Sequence, residues 1–210
     1  MGLNVSDVLT LDDVRLGGKV VLYRVDVNSP LEPSSGAFLD DSRLRAIIPT
    51  LRTLQNSKVV MLGHQSRPGK IDFTNMEQHA DRISRLIGKK VKFVSDICGD
   101  EAISSIKNLK IGEMLFLDNI RMHEDENSMK KASLEETAKS EIVRKLSSVI
   151  DVYVTDAFAA SHRNSPSLTG FYDSVPCIAG HLMSKEISNL QIAVNDPPRP
   201  YIAILGGTKC

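Results

Sequence analysis

The fold of this chain is decided by the stretch VVLYRVDVN at residues 20–28. Its apolar residues run almost without interruption until charged and polar side chains end the run. Continuous apolar runs are expected for strands that are covered on both faces, as in a parallel sheet. Five other runs share this character and predict further strands at residues 58–63, 90–94, 114–117, 149–154 and 201–205.

Helical patterns lie between these runs. Apolar residues recur with helical period between positions 44 and 54, and Pro49 predicts a kink in that helix. Thr74 with Glu77, and Ser133 with Glu136, have capping-box spacing, so each pair predicts the start of a helix. Strands that alternate with helices predict an α/β fold, a doubly wound, Rossmann-like parallel sheet with helices on both faces.

A proline-rich segment at residues 196–200 predicts a domain boundary, because its prolines cannot continue the helix predicted at residues 182–194. Residues 1–195 are therefore expected to form one domain. Residues 196–210 are expected to hold an interdomain junction and the first strand of a missing second domain, since a strand followed by a glycine turn normally feeds a helix. The chain is thus expected to be a truncated two-domain protein.

The composition is balanced, with 26 basic and 26 acidic side chains among 210 residues. No overall field attracts nucleic acid or an anionic membrane, so any anion site must be local. The odd set Cys98, Cys177 and Cys210 lacks a C-x-x-C pair, which argues against a disulfide framework or a zinc site. The amino terminus lacks a secretion pattern, which favours a cytoplasmic protein. Residues 1–6 also fit a loose myristoylation pattern and contain the sequon Asn4-Val5-Ser6, although such short patterns recur by chance.

Cationic side chains occur at or just after the ends of several predicted strands. The carboxyl ends of strands in an open α/β sheet face one crevice, so residues distant in the sequence meet there. Arginine suits phosphate and carboxylate because its planar fork donates two parallel hydrogen bonds and keeps its charge. The pattern predicts a site for a small polyanion formed by Arg24, Arg43, His64, Arg67, Arg121 and Arg163.

Other polar residues near these strand ends admit more than one interpretation. Arg24, Asp26 and Asn28 alternate and so project to one side. They form either a structural salt bridge between Arg24 and Asp26 or a set of contacts to ligand hydroxyls. His64 is expected to bind ligand and not to act as a general base, because neighbouring arginines lower its pKa. The acidic run at residues 124–126 is expected to be a solvated turn and not a metal site.

Together these motifs resemble those of the phosphoglycerate kinase family over nearly the whole chain. The ordered matches are R-V-D-V-N-S-P from Arg24, D-S-R-L from Asp41, H-Q-S-R-P from His64, L-D-N-I-R from Leu117, D-A-F from Asp156 with H-R from His162, A-G-H-L-M-S-K-E from Ala179 and G-G-T-K from Gly206. The sequence motif around His64 is similar to that of archaeal members of the family. The departures are Val27 for Phe, Ser66 for Gly, Asp118 for Glu, Met122 for Phe and Ala159 for Gly. Ser66 bears most on the loop conformation, because glycine permits backbone angles that serine resists.

The resemblance implies reversible phosphoryl transfer between 1,3-bisphosphoglycerate and ADP, giving 3-phosphoglycerate and ATP with magnesium on the nucleotide. It implies that the amino-terminal domain holds phosphoglycerate and that the missing domain holds most of the nucleotide. The protein is expected to be a monomer that binds neither nucleic acid nor membrane. The 210-residue chain alone is expected to be inactive.

The resemblance also implies roles for single residues. Arg43 and Lys185 are expected to be catalytic, and Arg24 to brace the basic patch or pair with Asp156. No residue is expected to bind a metal directly. Contacts to phosphoglycerate are expected from Asp26, Asn28, Arg43, His64, Arg67, Arg121 and Arg163, and contacts to the nucleotide from Lys185, Lys209, Gly206 and Gly207.

Two alternatives to the kinase are compatible with the same sheet. The cationic pocket could belong to a non-catalytic module that binds a sugar phosphate or another small anion. A nicotinamide-dependent oxidoreductase is the other alternative, and the lack of G-x-G-x-x-G after the first strand argues against it.

Overall fold

The strands of the protein form one parallel sheet. A computed structural model describes residues 8–204 and residue 206. Within them the strands are β1 (Val20–Arg24), β2 (Lys58–Leu62), β3 (Val91–Val94), β4 (Met114–Leu117), β5 (Val152–Thr155) and β6 (Cys177–Ala179). Their order across the sheet is β3-β4-β2-β1-β5-β6, and every neighbouring pair is parallel.

Helices fill the connections between the strands. They are α1 (Ser42–Ala46), α2 (Ile48–Thr53), α3 (Glu77–Ile87), α4 (Asp100–Lys107), α5 (Glu124–Ser128), α6 (Leu134–Ala138), α7 (Glu141–Ser147), α8 (Pro166–Thr169) and α9 (His181–Asn195). Short 3-10 helices lie at Leu54–Asn56, Ile120–Met122, Phe158–Ala160 and Gly170–Asp173. The part of the chain that the structure describes contains no helix long and apolar enough to cross a membrane.

The core has two layers, one on each face of the sheet. Successive strand residues point to opposite faces. Val21 and Tyr23 of β1 therefore pack into one cluster with Leu51 of α2, and Leu22 packs into the other with Ile106 of α4. All these strand residues are fully buried. The predicted α/β sheet with helices on both faces is confirmed.

The strand order reverses beside β1. The chain passes from β1 to β2 on one side, and β5 pairs with β1 on the other. The crevice outside the carboxyl ends of the strands at such a reversal is where ligands bind in open α/β sheets. Arg24 is the last residue of β1, so the first predicted arginine lies at this point.

The predicted strand at residues 114–117 is confirmed to the residue, and four others overlap the observed ones. β6 was not predicted, because its three residues are too few for a recognisable pattern. The strand predicted at residues 201–205 is absent from residues 201–204, and residue 205 lies outside the described residues. Ile202 and Ile204 are instead 81% and 92% exposed.

The helix interruption predicted from Pro49 occurs two residues before the proline. α1 ends at Ala46, and α2 begins at Ile48 with Pro49 in its first turn, where proline costs no hydrogen bond. The capping box predicted from Thr74 does not form, since Met76 occupies the N-cap position of α3. The box of Ser133 with Glu136 does form at the start of α6. The patterns at residues 1–6, and Gly207 and Lys209, lie outside the described residues.

Candidate functional site

Four of the six predicted cations come from the carboxyl ends of four neighbouring strands, whereas Arg43 lies in α1 and not directly after a strand. Arg24 ends β1, and His64 follows β2 by two residues. Arg121 lies in the 3-10 helix after β4, and Arg163 follows the 3-10 helix after β5. Arg24, His64, Arg121 and Arg163 all line one cavity of about 20 Å³, together with Glu126, Lys130, Ala160, Ser165 and Leu168.

The two remaining predicted arginines, Arg43 and Arg67, act electrostatically on residues of this cavity. Burial first, and then the charges of Arg24, Arg121, Arg163 and Arg43, lower the pKa of His64 to about 2. The pKa of Arg121 falls to about 10, first because of burial and then because of neighbouring arginines that include Arg67. We therefore define the cation cluster as Arg24, Arg43, His64, Arg67, Arg121 and Arg163. The charge of every other arginine in the cluster acts on His64, on Arg121 or on both.

A larger cavity lies elsewhere. It measures about 650 Å³ and is bounded by residues 35–41 and α3. Its walls carry both signs of charge, and Asp41 is paired with Arg82 there and with Arg45 nearby. The walls of this cavity therefore do not carry a single sign of charge, unlike the cation cluster.

Arg24 is the most deeply buried member, with 1% of its surface exposed. Its Nε donates to Ser167 Oγ at 3.1 Å, and Ser167 Oγ donates to Glu126 Oε1 at 2.7 Å. Glu126 is 5% exposed and also accepts from Ser165 Oγ at 2.8 Å. The carboxylate of Glu126 thus compensates the charge of Arg24 through the Ser167 hydroxyl. This arrangement is favourable because buried charges need compensation.

One expectation about this region was wrong, and one of the two alternatives for Arg24 is excluded. Glu126 is not part of a solvated turn but the buried counter-charge of the cluster. Arg24 does not pair with Asp156, whose Oδ2 accepts from Tyr23 Oη and Thr50 Oγ1 at 2.6 Å each. Tyr23 and Arg24 are adjacent on β1 and point to opposite faces, which places Asp156 and Arg24 in different layers.

The hydrogen bond between Arg24 and His64 decides the tautomer of the imidazole. Arg24 Nη2 lies 3.2 Å from His64 Nδ1. A guanidinium can only donate, so Nδ1 must accept and the proton of the neutral ring must be on Nε2. His64 therefore offers an N–H donor to a ligand, and its depressed pKa argues against a base that gains a proton near neutral pH.

Asp26 and Asn28 are already used within the protein. Asp26 forms an ion pair with Arg43, whose side chain remains 45% exposed, and not the alternative pair with Arg24. Asn28 Oδ1 accepts from the backbone N–H of Ser66 at 2.7 Å. The amide nitrogen of Asn28 and the guanidinium of Arg43 keep further donors for a ligand.

The loop after β2 places Arg121. The backbone carbonyl of Ser66 accepts a hydrogen bond from Arg121 Nη1. Ser66 has a φ of 55°, in the left-handed region where the related motif has glycine. Ser66 therefore adopts the left-handed conformation that a serine normally resists. Arg67 follows on the exposed side of the loop, and Arg163 Nε lies 3.3 Å from His162 Nε2.

The residues expected on the nucleotide side are not joined to this cluster within the described residues. Lys185 is exposed on α9, and no hydrogen bond or ion pair of its side chain occurs there. Gly206 lies in an open segment where an added Cβ would meet no atom within 4 Å. No group of three or more His, Cys, Asp or Glu side chains within the described residues could hold a metal ion.

Sequence reasoning missed Glu126, Ser165 and Ser167. Glu126 follows two other acidic residues, a pattern typical of exposed turns, and α8 packs against the helix α5 that carries it. Ser165 and Ser167 flank a proline in a segment without charge. No local signal marks these residues.

Comparison with known proteins identifies the family. The family model described as phosphoglycerate kinase matches residues 11–210. Phosphoglycerate kinase of Methanothermobacter thermautotrophicus is 45% identical over 202 residues, which are 95% of this chain and 49% of that protein. That of Methanocorpusculum labreanum is 45% identical over 200 residues, again 95% of this chain and 49% of that protein.

Solved structures agree with these relatives. The crystal structure of phosphoglycerate kinase from Pyrococcus horikoshii superposes with a TM-score of 0.90 at 42% identity, covering 96% of this chain and 49% of that chain. The structure of phosphoglycerate kinase from Coxiella burnetii superposes with a TM-score of 0.72 at 25% identity, covering 92% of this chain and 46% of that chain. The chain spans about half the length of the curated relatives that it matches. The α/β sheet and these matches show that the chain belongs to the phosphoglycerate kinase family.

Proposed function

We propose that the protein is a phosphoglycerate kinase that transfers a phosphoryl group reversibly between 1,3-bisphosphoglycerate and ADP. The products are 3-phosphoglycerate and ATP, and magnesium enters as part of the nucleotide substrate. The observation that carries the proposal is the cation cluster at the carboxyl ends of β1, β2, β4 and β5, found in a chain of this family. Phosphoryl transfer depends on positioning and charge neutralisation more than on covalent chemistry, which suits such a cluster.

The phosphoglycerate is the ligand that we assign to the cation cluster. Several like charges in a partly buried space are unfavourable by themselves, and burial first and neighbouring arginines second lower the pKa of Arg121. A bound anion offsets this repulsion and gains charge-assisted hydrogen bonds. The residues assigned to phosphoglycerate are Asp26, Asn28, Arg43, His64, Arg67, Arg121 and Arg163.

Arg43 and Arg24 have different tasks in this proposal. Arg43 is held at one end by Asp26 and is half exposed, so its free donors can neutralise the transferring group. Arg24 is buried and contacts His64 and Ser167, so it supports the cluster from the interior of the protein.

The nucleotide is assigned to residues at the other end of the chain and to a second domain. Lys185, Gly206, Gly207 and Lys209 would face the nucleotide phosphates, with Lys185 catalytic. Residues 1–195 would form the phosphoglycerate domain, and residues 196–210 the junction and first strand of the nucleotide domain. We further infer a monomer that works in the cytoplasm on small-molecule substrates.

Binding of 3-phosphoglycerate to the chain tests the assignment by titration calorimetry. Arg121→Ala is expected to weaken binding by about 2 to 4 kcal/mol, the range for losing one member of a desolvated charge pair. Arg43→Ala is expected to weaken it less, because Arg43 is 45% exposed. Arg144→Ala on the exposed surface of α7 is the matched control, and binding should weaken as salt rises. Equal affinities for all four proteins would refute the site.

A coupled assay with magnesium ADP and 1,3-bisphosphoglycerate tests the division of the active site. The 210-residue chain by itself is expected to give no measurable turnover. The physical reason is that alignment of two reactants accounts for about 7 to 11 kcal/mol of such a barrier, and the nucleotide must be held opposite the arginines. Activity of the purified chain that disappears with Arg43→Ala would refute the divided site.

A further inference from the structure

Ser66 has an unusual backbone for its residue type. Its φ of 55° is the one positive value of a non-glycine residue within the described part of the chain. An L-residue with a Cβ disfavours this left-handed conformation because the Cβ approaches the following carbonyl oxygen. Serine can occupy it only where surrounding contacts hold it there.

Three hydrogen bonds hold Ser66, and they have different origins. Its backbone N–H donates to Asn28 Oδ1 at 2.7 Å, and its carbonyl accepts from Arg121 Nη1. Both backbone contacts reach residues of the proposed anion site, and their directions depend on the Ser66 φ angle. The third bond comes from the side chain, since Ser66 Oγ donates to Asp72 Oδ1 at 2.6 Å.

The hydroxyl bond is available only because this chain has serine at the position. A glycine would adopt the same φ without a partner. Asp72 lies in the turn that follows, where the N–H of Phe73 donates to the carbonyl of Lys70 at 3.1 Å. The carboxylate is therefore presented to Ser66 from a closed turn of the same loop.

We propose that Asp72 is a positioning residue that acts through Ser66. Its bond to the hydroxyl keeps Ser66 left-handed, so that the Ser66 carbonyl and N–H hold Arg121 and Asn28 in place for the anion. The part of this inference that concerns ligand affinity rests on the proposed function. The part that concerns the loop does not.

The electrostatic and structural effects of Asp72 on anion binding have opposite signs. A carboxylate near an anion site repels the anion, so removing it for purely electrostatic reasons would tighten binding. Removing it as the support of Ser66 would weaken binding. Asp72→Asn separates the two effects because it keeps an oxygen acceptor and removes the charge.

The experiment uses a mutant cycle in the 210-residue chain, with Asp72→Ala, Ser66→Gly and the double variant. Asp72→Asn tests retention of the acceptor, and Asp81→Ala on the exposed side of α3 is the matched control. The first readout needs no ligand: amide hydrogen exchange of residue 66 and the NMR signal of the Arg121 Nε–H. The second is the dissociation constant of 3-phosphoglycerate.

Asp72→Ala is expected to speed exchange at residue 66, move the Arg121 signal and raise the dissociation constant about 5- to 30-fold, matching the left-handed penalty. Ser66→Gly, Asp72→Asn and the double variant should all stay within about twofold of the wild type. An Asp72→Ala chain that keeps both NMR signals, or effects that persist in the Ser66→Gly background, would overturn the inference. If no variant binds 3-phosphoglycerate, the proposed function fails and the NMR readout still decides the role of Asp72.

Discussion

Acidification from pH 8 to pH 5 is expected to destabilise the protein through two buried histidines. The pKa of His64 is lowered to about 2, by burial first and by the neighbouring arginines second. The pKa of His79 is lowered to about 4 by burial. An imidazole in the unfolded chain titrates near ~6.5. Below that pH the unfolded state binds more protons than the native state, so the free energy of unfolding falls as the pH falls.

The size of the effect follows from these values. One pKa unit corresponds to about 1.36 kcal/mol. At pH 5 the unfolded imidazoles are protonated while both native rings are still mostly neutral, so each histidine costs about 2 kcal/mol and the pair about 4 kcal/mol. The loss begins below pH ~6.5, and the His79 contribution levels off first, near its native pKa of about 4.

Urea unfolding at pH 8 and pH 5 measures this difference. His64→Gln should reduce the loss between the two pH values by about half, whatever the substitution does to the stability at pH 8. If His64→Gln does not fold, an NMR titration of the His64 ring in the wild type replaces it. A wild-type free energy of unfolding that is equal at both pH values, or a His64 ring that titrates near pH 6.5, would refute the reasoning.

Three substitutions test the buried polar groups around the site, each by urea unfolding at pH 8. Glu126→Ala removes the counter-charge of Arg24 and should cost about 3 to 5 kcal/mol, the range for an uncompensated buried charge, and a loss below 1 kcal/mol would mean that solvent supplies the compensation. Tyr23→Phe takes one of the donors from the buried Asp156 and should cost about 1 to 3 kcal/mol, whereas Tyr172→Phe at a side chain 49% exposed should be neutral. Gly180→Ala places a Cβ against the Asp156 carboxylate and should cost about 1 to 3 kcal/mol, and equal stability would show that the carboxylate can move aside.

The sequence alone predicted the sheet well where the signal is local. The buried run at residues 114–117 became β4 without adjustment, because each of its residues is covered on one face or the other. The placement of cations after such runs also predicted that Arg24, His64, Arg121 and Arg163 would lie together, and these four line one cavity. Parallel strands end at one edge, so a pattern read along the chain already contains this proximity.

Contacts between distant segments could not be predicted in the same way. β6 is three residues long and exists because β5 pairs with it, so pairing and not composition creates it. The segment at residues 201–204 has the composition of a buried strand, yet no neighbouring strand pairs with it within the described residues. A strand needs a neighbour for its backbone hydrogen bonds, and the sequence of the segment does not supply one.

The sequence by itself determined the fold class and which cations follow strand ends, because periodicity and strand ends are local properties. Only the tertiary structure decided which polar groups compensate those cations. Glu126 reaches Arg24 through Ser167, which is 41 residues further along the chain, and Asp72 accepts a hydrogen bond from Ser66 Oγ. Burial and hydrogen-bond partners are set by the packing of separate loops, and that packing is a property of the whole chain.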